Sequence, residues 1–262
     1  MLGYQTERKP YLKEILACVA SLQNEHHGLL ALQKTDSNIY AHQKQLVASG
    51  NFRDSVQNIT DENWIAILAF SVSILVCHFD RSGRSYVELE QDPVMESIFL
   101  LRNSANLGRQ LHPWLLHSGL ISRVQQGLAS NVPARDELAE TAIADLRNIN
   151  KRSSIDDTMT DGICSDSIDK LESWLHLTAG QPRTWLHFIW WPGELSDEYI
   201  QLLSDKNPKA VIIFLHWCAI MAKAPKRWFV EGWAQRIAEC ALHDLDQHWS
   251  GEVSWARRQL QL

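Results

Sequence analysis

The stretch that most constrains this chain is AVIIFLHWCAIMA, Ala210 to Ala222, which carries no charged side chain on any face. It is long enough for about three and a half turns of helix. A helix apolar all round must be enclosed by other elements, so this segment is the expected central post of a helical domain. Its most polar side chain is His216, between Leu215 and Trp217. A Lys-Ala-Pro-Lys-Arg turn follows, and a second helix carrying Trp228, Phe229 and Trp233 is expected after it.

The rest of the chain reads as further helices. Pro10 suits a first helical turn, and Tyr11, Leu12, Ile15, Leu16, Val19 and Leu22 recur at helical spacing. Asp36 or Ser37 caps a second helix that Gly50 should end, and Thr60 caps a third, apolar on nearly every face from Trp64 to Phe79. Pro93 opens another, which His112-Pro113 should break before Trp114 to Val124 resumes. Leu138, Ala142, Leu146 and Ile149 mark an amphipathic helix, and the polar segment 151–169 is expected to be a mobile loop. Ile168 to Leu177, Trp185 to Trp191 and Tyr199 to Leu203 complete the set before the central post. Strand alternation and hairpin signals are nearly absent. The fold class expected is all-α: a single irregular multi-helix bundle of roughly ten helices, spanning 1–262 and enclosing an apolar pocket.

Composition narrows the function. Of 262 residues, 11 are tryptophan, nine of them from Trp174 onward, so wide rings must fill space between helices or line a pocket there. The net charge is −6 and no run of Lys or Arg exceeds two, which argues against direct nucleic acid contact, since phosphate affinity needs clustered cations. The longest uncharged run, Trp64 to Phe79, is shorter than the roughly 20 residues a bilayer requires, so no membrane association is expected. The N-terminus resembles no secretory signal. The five cysteines lack zinc spacing and read as small buried hydrophobes in a reducing compartment, which implies an intracellular protein, cytoplasmic or nuclear.

Motifs for chemistry are sparse. Asp156, Asp157 and Asp161 are similar to the aspartate-rich magnesium motif of terpene cyclases, but they sit in the most polar segment with no second metal motif and read as solvated. His243 and His248, five apart, would fall on different helix faces, whereas zinc histidines prefer four. No metal and no cofactor is expected, and the nucleophile-elbow, P-loop and dinucleotide motifs are missing. What remains are polar groups on buried helices. His216 and His78 read either as core histidines bonded to backbone or as groups that hold a ligand hydroxyl or carbonyl. Arg102 reads either as an ion-pair partner or as the third catalytic candidate with these two histidines. The candidate ligand-binding residues are Trp64, Ser71, Ile74, Phe99, Trp114, Trp217, Trp228 and Trp233.

Four segments taken together, PYLKEILACVASLQ, SNIYAHQKQLVASGNFRDSVQNITDENWIAILAFSVSI, SIFLLRNSANLGRQL and NPKAVIIFLHWCAIMAKAPKRWFVEGWAQRIAECALHDLDQHW, resemble in their order the regulatory domain of fungal zinc-cluster transcription factors, in the branch of the sterol-uptake regulators. The last segment carries most of the likeness, through His216, the basic turn, Trp228, Gly232, Trp233 and Trp249. The resemblance implies an all-helical domain, an apolar cavity able to hold a sterol, and dimerisation, hence a homodimer. The family's six-cysteine zinc cluster has no counterpart in the sequence. The expectation is therefore a stand-alone pocket protein of fungal metabolite biosynthesis, binding a small apolar terpenoid- or polyketide-like molecule and promoting a metal-independent cyclisation or pericyclic step. The alternative is a ligand-responsive transcriptional regulator acting through a partner, and a third reading places the true start upstream of Met1.

Overall fold

The computed structural model describes residues 9–26, 34–81, 92–123, 134–151, 158–243 and 245–262, and among these there is no strand. The helices are α1 (Pro10–His26), α2 (Lys34–Ser55), α3 (Trp64–Arg81), α4 (Pro93–His117), α5 (Glu137–Lys151), α6 (Thr158–Thr178), α7 (Trp185–Glu194), α8 (Asp197–Ser204), α9 (Pro208–Met221), α10 (Trp233–His243) and α11 (Ser254–Leu260), with a 3₁₀ turn at Gln247–Trp249. The expected all-α class is the observed one.

The chain divides into two compact units. The first comprises Met1–Arg84, Leu107–Gln126 and Trp228–Val230; the second comprises Ser85–Asn106, Gly127–Arg227 and Glu231–Leu262. In the first, α1 packs on α2 and α3. Tyr11 sets its ring edge-on to Phe52 and Phe70, at 5.2 and 5.6 Å, and those two stack at 4.2 Å. A separate cluster joins Trp64 and Ile67 to Leu111 and Leu115.

The second unit is built around α9. Every residue from Lys209 to Met221 is buried, and the helix packs against α5, α6, α8, α10 and α11. Trp217 is its centrepiece: Trp191 stacks on it at 5.4 Å, Trp233 meets it edge-on at 5.9 Å, and Phe214 and Trp174 lie at 5.7 and 6.3 Å. The surrounding rings anchor their polar atoms to backbone. Trp174 Nε1 donates to the His187 carbonyl (2.6 Å), Trp191 Nε1 to that of Ser167 (3.2 Å) and Tyr199 Oη to that of Ala210 (2.8 Å).

Ion pairs fix the ends of α9. Lys206 pairs with Asp92, Lys209 with Asp161, and Lys223 with Asp136 at 2.5 Å. Two of these aspartates also cap helices: Asp92 accepts from the Val94 N–H at the start of α4, and Asp136 from the Ala139 N–H at the start of α5. A cation in the first turn of α9 opposes the helix dipole; Asp161 compensates for Lys209, which also donates to the Asn150 carbonyl.

Several boundaries differ from expectation. The expected loop 151–169 is helical from Thr158 onward, with residues 152–157 outside the described set. Its buried row, Thr160, Cys164, Ser167, Ile168 and Leu171, has helical spacing but is made mostly of small or polar side chains, which hides the periodicity. Pro113 does not break α4, which continues through it to His117 along a stretch where residues 109, 110, 112 and 113 are exposed. Gly50 does not end α2, and α7 runs past the expected Trp191 through Pro192 and Gly193 to Glu194. Trp228 and Phe229 precede α10, which begins at Trp233.

Gly180, at φ +73°, closes the turn after α6, and a Cβ built there would lie 2.6 Å from Asp136 Cβ. The backbone needs glycine and so does the space. Gly180→Ala should lower unfolding free energy by about 1–3 kcal/mol in denaturant titration, more than Gly162→Ala, where a Cβ meets nothing within 4 Å.

Candidate functional site

The second unit holds a cleft of about 570 Å³ lined by α5, α9, α11 and the turn before α11. The α5 contribution follows from helical spacing. Ala139, Ala142, Ile143, Leu146 and Asn150 form its buried row, and the next row round, Leu138, Thr141, Ala142, Asp145, Asn148 and Ile149, lines the cleft. Gly251, Glu252, Ser254, Trp255 and Arg258 form the opposite wall, and α9 contributes His216. Asp145, Asn148 and Arg258 are exposed, whereas Ala142 and His216 are buried. The lining is therefore graded, from charged and amide groups that meet water to an imidazole that does not.

His216 is 2% exposed. Its Nδ1 lies 2.8 Å from the Ile212 carbonyl, one turn back on the same helix. A carbonyl only accepts, so Nδ1 carries the proton and Nε2 presents a lone pair. Burial holds the imidazole pKa down to about 4, against the opposing pull of the Ile212 carbonyl and the Asp145 carboxylate. The ring is neutral at pH 7. Trp255 stacks on it at 5.3 Å, with 15° between the planes, and Lys223 stands over the Trp255 ring at 5.4 Å. The site therefore offers one buried acceptor beside an indole, with donors and acceptors of both signs above it. Its volume lies within the roughly 300–1,000 Å³ of small-molecule sites.

Of the residues expected to carry function, the cleft takes His216 alone. Trp217 and Trp233, both fully buried, pack against other rings and are core rather than walls. Phe99 is 49% exposed. Arg102 pairs with Asp197 at 2.6 Å in the first turn of α8, as an ion-pair partner. The remaining candidates belong to the first unit. There His78 is buried near the end of α3, Ile74 packs against the Tyr11 cluster, and Ser71 is buried on the same helix. Trp64 is core, Trp114 donates through Nε1 to Asp61 at 2.6 Å, and Trp228 meets His26 with ring centres 6.2 Å apart. Asp156 and Asp157 lie outside the described residues, and Asp161 serves the Lys209 pair. Among the described residues no cluster of three His, Cys, Asp or Glu could hold a metal.

The residues not anticipated are Asp145, Asn148, Trp255 and Arg258. The amphipathic pattern of 138–149 was a usable signal for the first two, because a polar row next to a core row borders whatever gap the core leaves.

The fold and cleft thus define an all-helical protein with a partly enclosed site under a neutral histidine. No protein-family model matches the chain, and no curated protein or solved structure matches it.

His187 is a second buried imidazole, with its pKa also pushed by burial to about 4, helped by the Arg183 charge; its Nδ1 accepts from the Arg183 N–H at 3.1 Å. A histidine whose folded pKa lies below its ordinary 6.5 binds a proton more readily when unfolded. Stability from both is full above about pH 6.5 and lost as pH falls towards 4, by up to about 3 kcal/mol each. Denaturant titrations between pH 7 and 4 should show this loss, and His216→Gln should remove roughly half of it.

Proposed function

We propose that this chain is a pocket protein that captures a small, mainly apolar, ring-bearing molecule in the α5–α9–α11 cleft, with a ligand hydroxyl or N–H donating to Nε2 of His216. The observation that carries this reading is the state of His216: buried, neutral, tied to backbone through one nitrogen and lining the cleft. An acceptor on a residue that meets little water competes little with solvent, so a donor delivered there gains more than it would on the surface. The apolar lining of Leu138, Ala142, Ile149 and Trp255 suits a ring skeleton of the terpenoid or polyketide kind.

On this reading the use of the site is a metal-independent cyclisation of the bound molecule. Holding one folded conformer supplies most of the acceleration such a step needs. A neutral imidazole accepting from a substrate hydroxyl raises electron density on that oxygen as the ring closes. Sensing of a metabolite, the regulator reading suggested by the resemblance to zinc-cluster factors, would require the same capture step first.

The test is native mass spectrometry of the purified chain with a panel of hydroxylated terpenoid and polyketide precursors, followed by chromatography of the released compounds, since cyclisation leaves mass unchanged. At least one precursor should be retained, and His216→Gln should weaken its binding about tenfold, the worth of one such hydrogen bond. His187→Gln, at another buried histidine off the cleft, should leave affinity unchanged. Retention of nothing, or equal loss from both variants, would overturn the assignment.

A further inference from the structure

The first unit holds a pair of thiols that the cleft does not involve. Cys18 on α1 and Cys77 on α3 lie 59 positions apart in sequence, and their Sγ atoms are 3.1 Å apart with both side chains buried. That gap is about 1 Å longer than a disulfide bond of roughly 2.0 Å. The three other cysteines lie in the second unit, and Cys240 is partly exposed, its thiol donating to the Arg236 carbonyl at 3.2 Å. Small buried hydrophobes need no sulfur-to-sulfur contact, and this pair has one.

We propose that Cys18 and Cys77 are a reversible dithiol–disulfide couple, oxidised by a peroxide, that ties α1 covalently to α3 inside the core of the first unit. The electron balance closes with one peroxide. One thiolate attacks a peroxide oxygen, breaking the O–O bond to give a sulfenic acid and water. The second sulfur then attacks the sulfenic sulfur, forming S–S and expelling a second water. Two thiols are oxidised by two electrons and the peroxide is reduced to two waters. The hydrogen bond shared with Cys77 holds the Cys18 thiol below its ordinary range despite burial and the nearby Asp80 charge, which favours Cys18 as the attacking thiolate. Because both sulfurs are buried, the peroxide reaches Cys18 through local fluctuations of the first unit that leave the Cys18–Cys77 contact in place. Once formed, the bond closes a long loop and restricts the unfolded chain.

Hydrogen peroxide added to the full chain, followed by alkylation and peptide mapping, tests this directly in the unmodified protein. The expected product is a Cys18–Cys77 linked peptide that dithiothreitol releases, with a melting temperature raised by about 5 °C in the oxidised form. Cys240→Ala should retain both results, and Cys77→Ser, a nearly isosteric change, should abolish both. A linked peptide of other connectivity would overturn the proposal. So would sulfinic acid at these positions without a link, oxidation of Cys240 while Cys18 and Cys77 stay reduced, or a fall in melting temperature on linkage.

Discussion

The enclosure of α9 is the constraint from which the second unit follows. Thirteen consecutive residues, Lys209 to Met221, are buried, so partners are needed in every direction around one axis. Five helices supply them, and the rings of Trp174, Trp191, Phe214 and Trp233 converge on Trp217. Burying a large side chain contributes about 1.5–3 kcal/mol, most of it offset by the entropy of ordering the chain, so the arrangement depends on many such contacts together. The ends of the helix obey a different rule. Lys206, Lys209 and Lys223 must keep their charges near an apolar interior, and each meets an aspartate. Asp92 and Asp136 cap other helices as well, so the same carboxylates that start α4 and α5 also fix where α9 begins and ends.

That enclosure determines the chemistry of His216. An imidazole inside an apolar helix has one backbone acceptor within easy reach, the carbonyl one turn back, and Ile212 fills that role. The bond fixes the proton on Nδ1, so Nε2 is the nitrogen left to meet a ligand. Burial then removes the charge. A protonated imidazole would donate from both nitrogens and could not accept from a hydroxyl. The acceptor and its sensitivity to acid are thus two consequences of the same desolvation.

Much of this was legible in the sequence, and the illegible part has a common cause. Periodicity shows roughly which face of a helix is buried: the expected post at 210–222 lies within two residues of α9, and of the four positions expected on the inner face of α5, Ala142 and Leu146 are in its buried row while Leu138 and Ile149 line the cleft. It does not show what that face is buried against. Trp217, Trp233 and Trp255 look alike as indoles in a Trp-rich region, yet the first two fill core and the third lines the cleft. Pairings across long separations, such as Lys209 with Asp161 or Cys18 with Cys77, leave no local trace. The helix from Thr158 was missed for a different reason, since its buried row uses Thr, Cys and Ser where the usual signal is Leu or Ile. A helix lying close to its neighbours needs small inward side chains, and small side chains carry weak periodicity.

The grading of the cleft bears on how a ligand would enter. Exposed Asp145, Asn148 and Arg258 hold water at the mouth, where a charged or amide group keeps its hydration at little cost. Ala142, Trp255 and His216 lie below, where an apolar ring gains by leaving water and one donor finds an acceptor. A molecule with a single hydroxyl on an otherwise apolar end would place that end first, because the reverse orientation would bury polar groups against Ala142 without partners. The same gradient disfavours small polyols, whose many donors outnumber the one acceptor at the floor. Selectivity for an amphiphilic skeleton therefore follows from where the polar atoms of the cleft lie, before any contact with a particular ligand is considered.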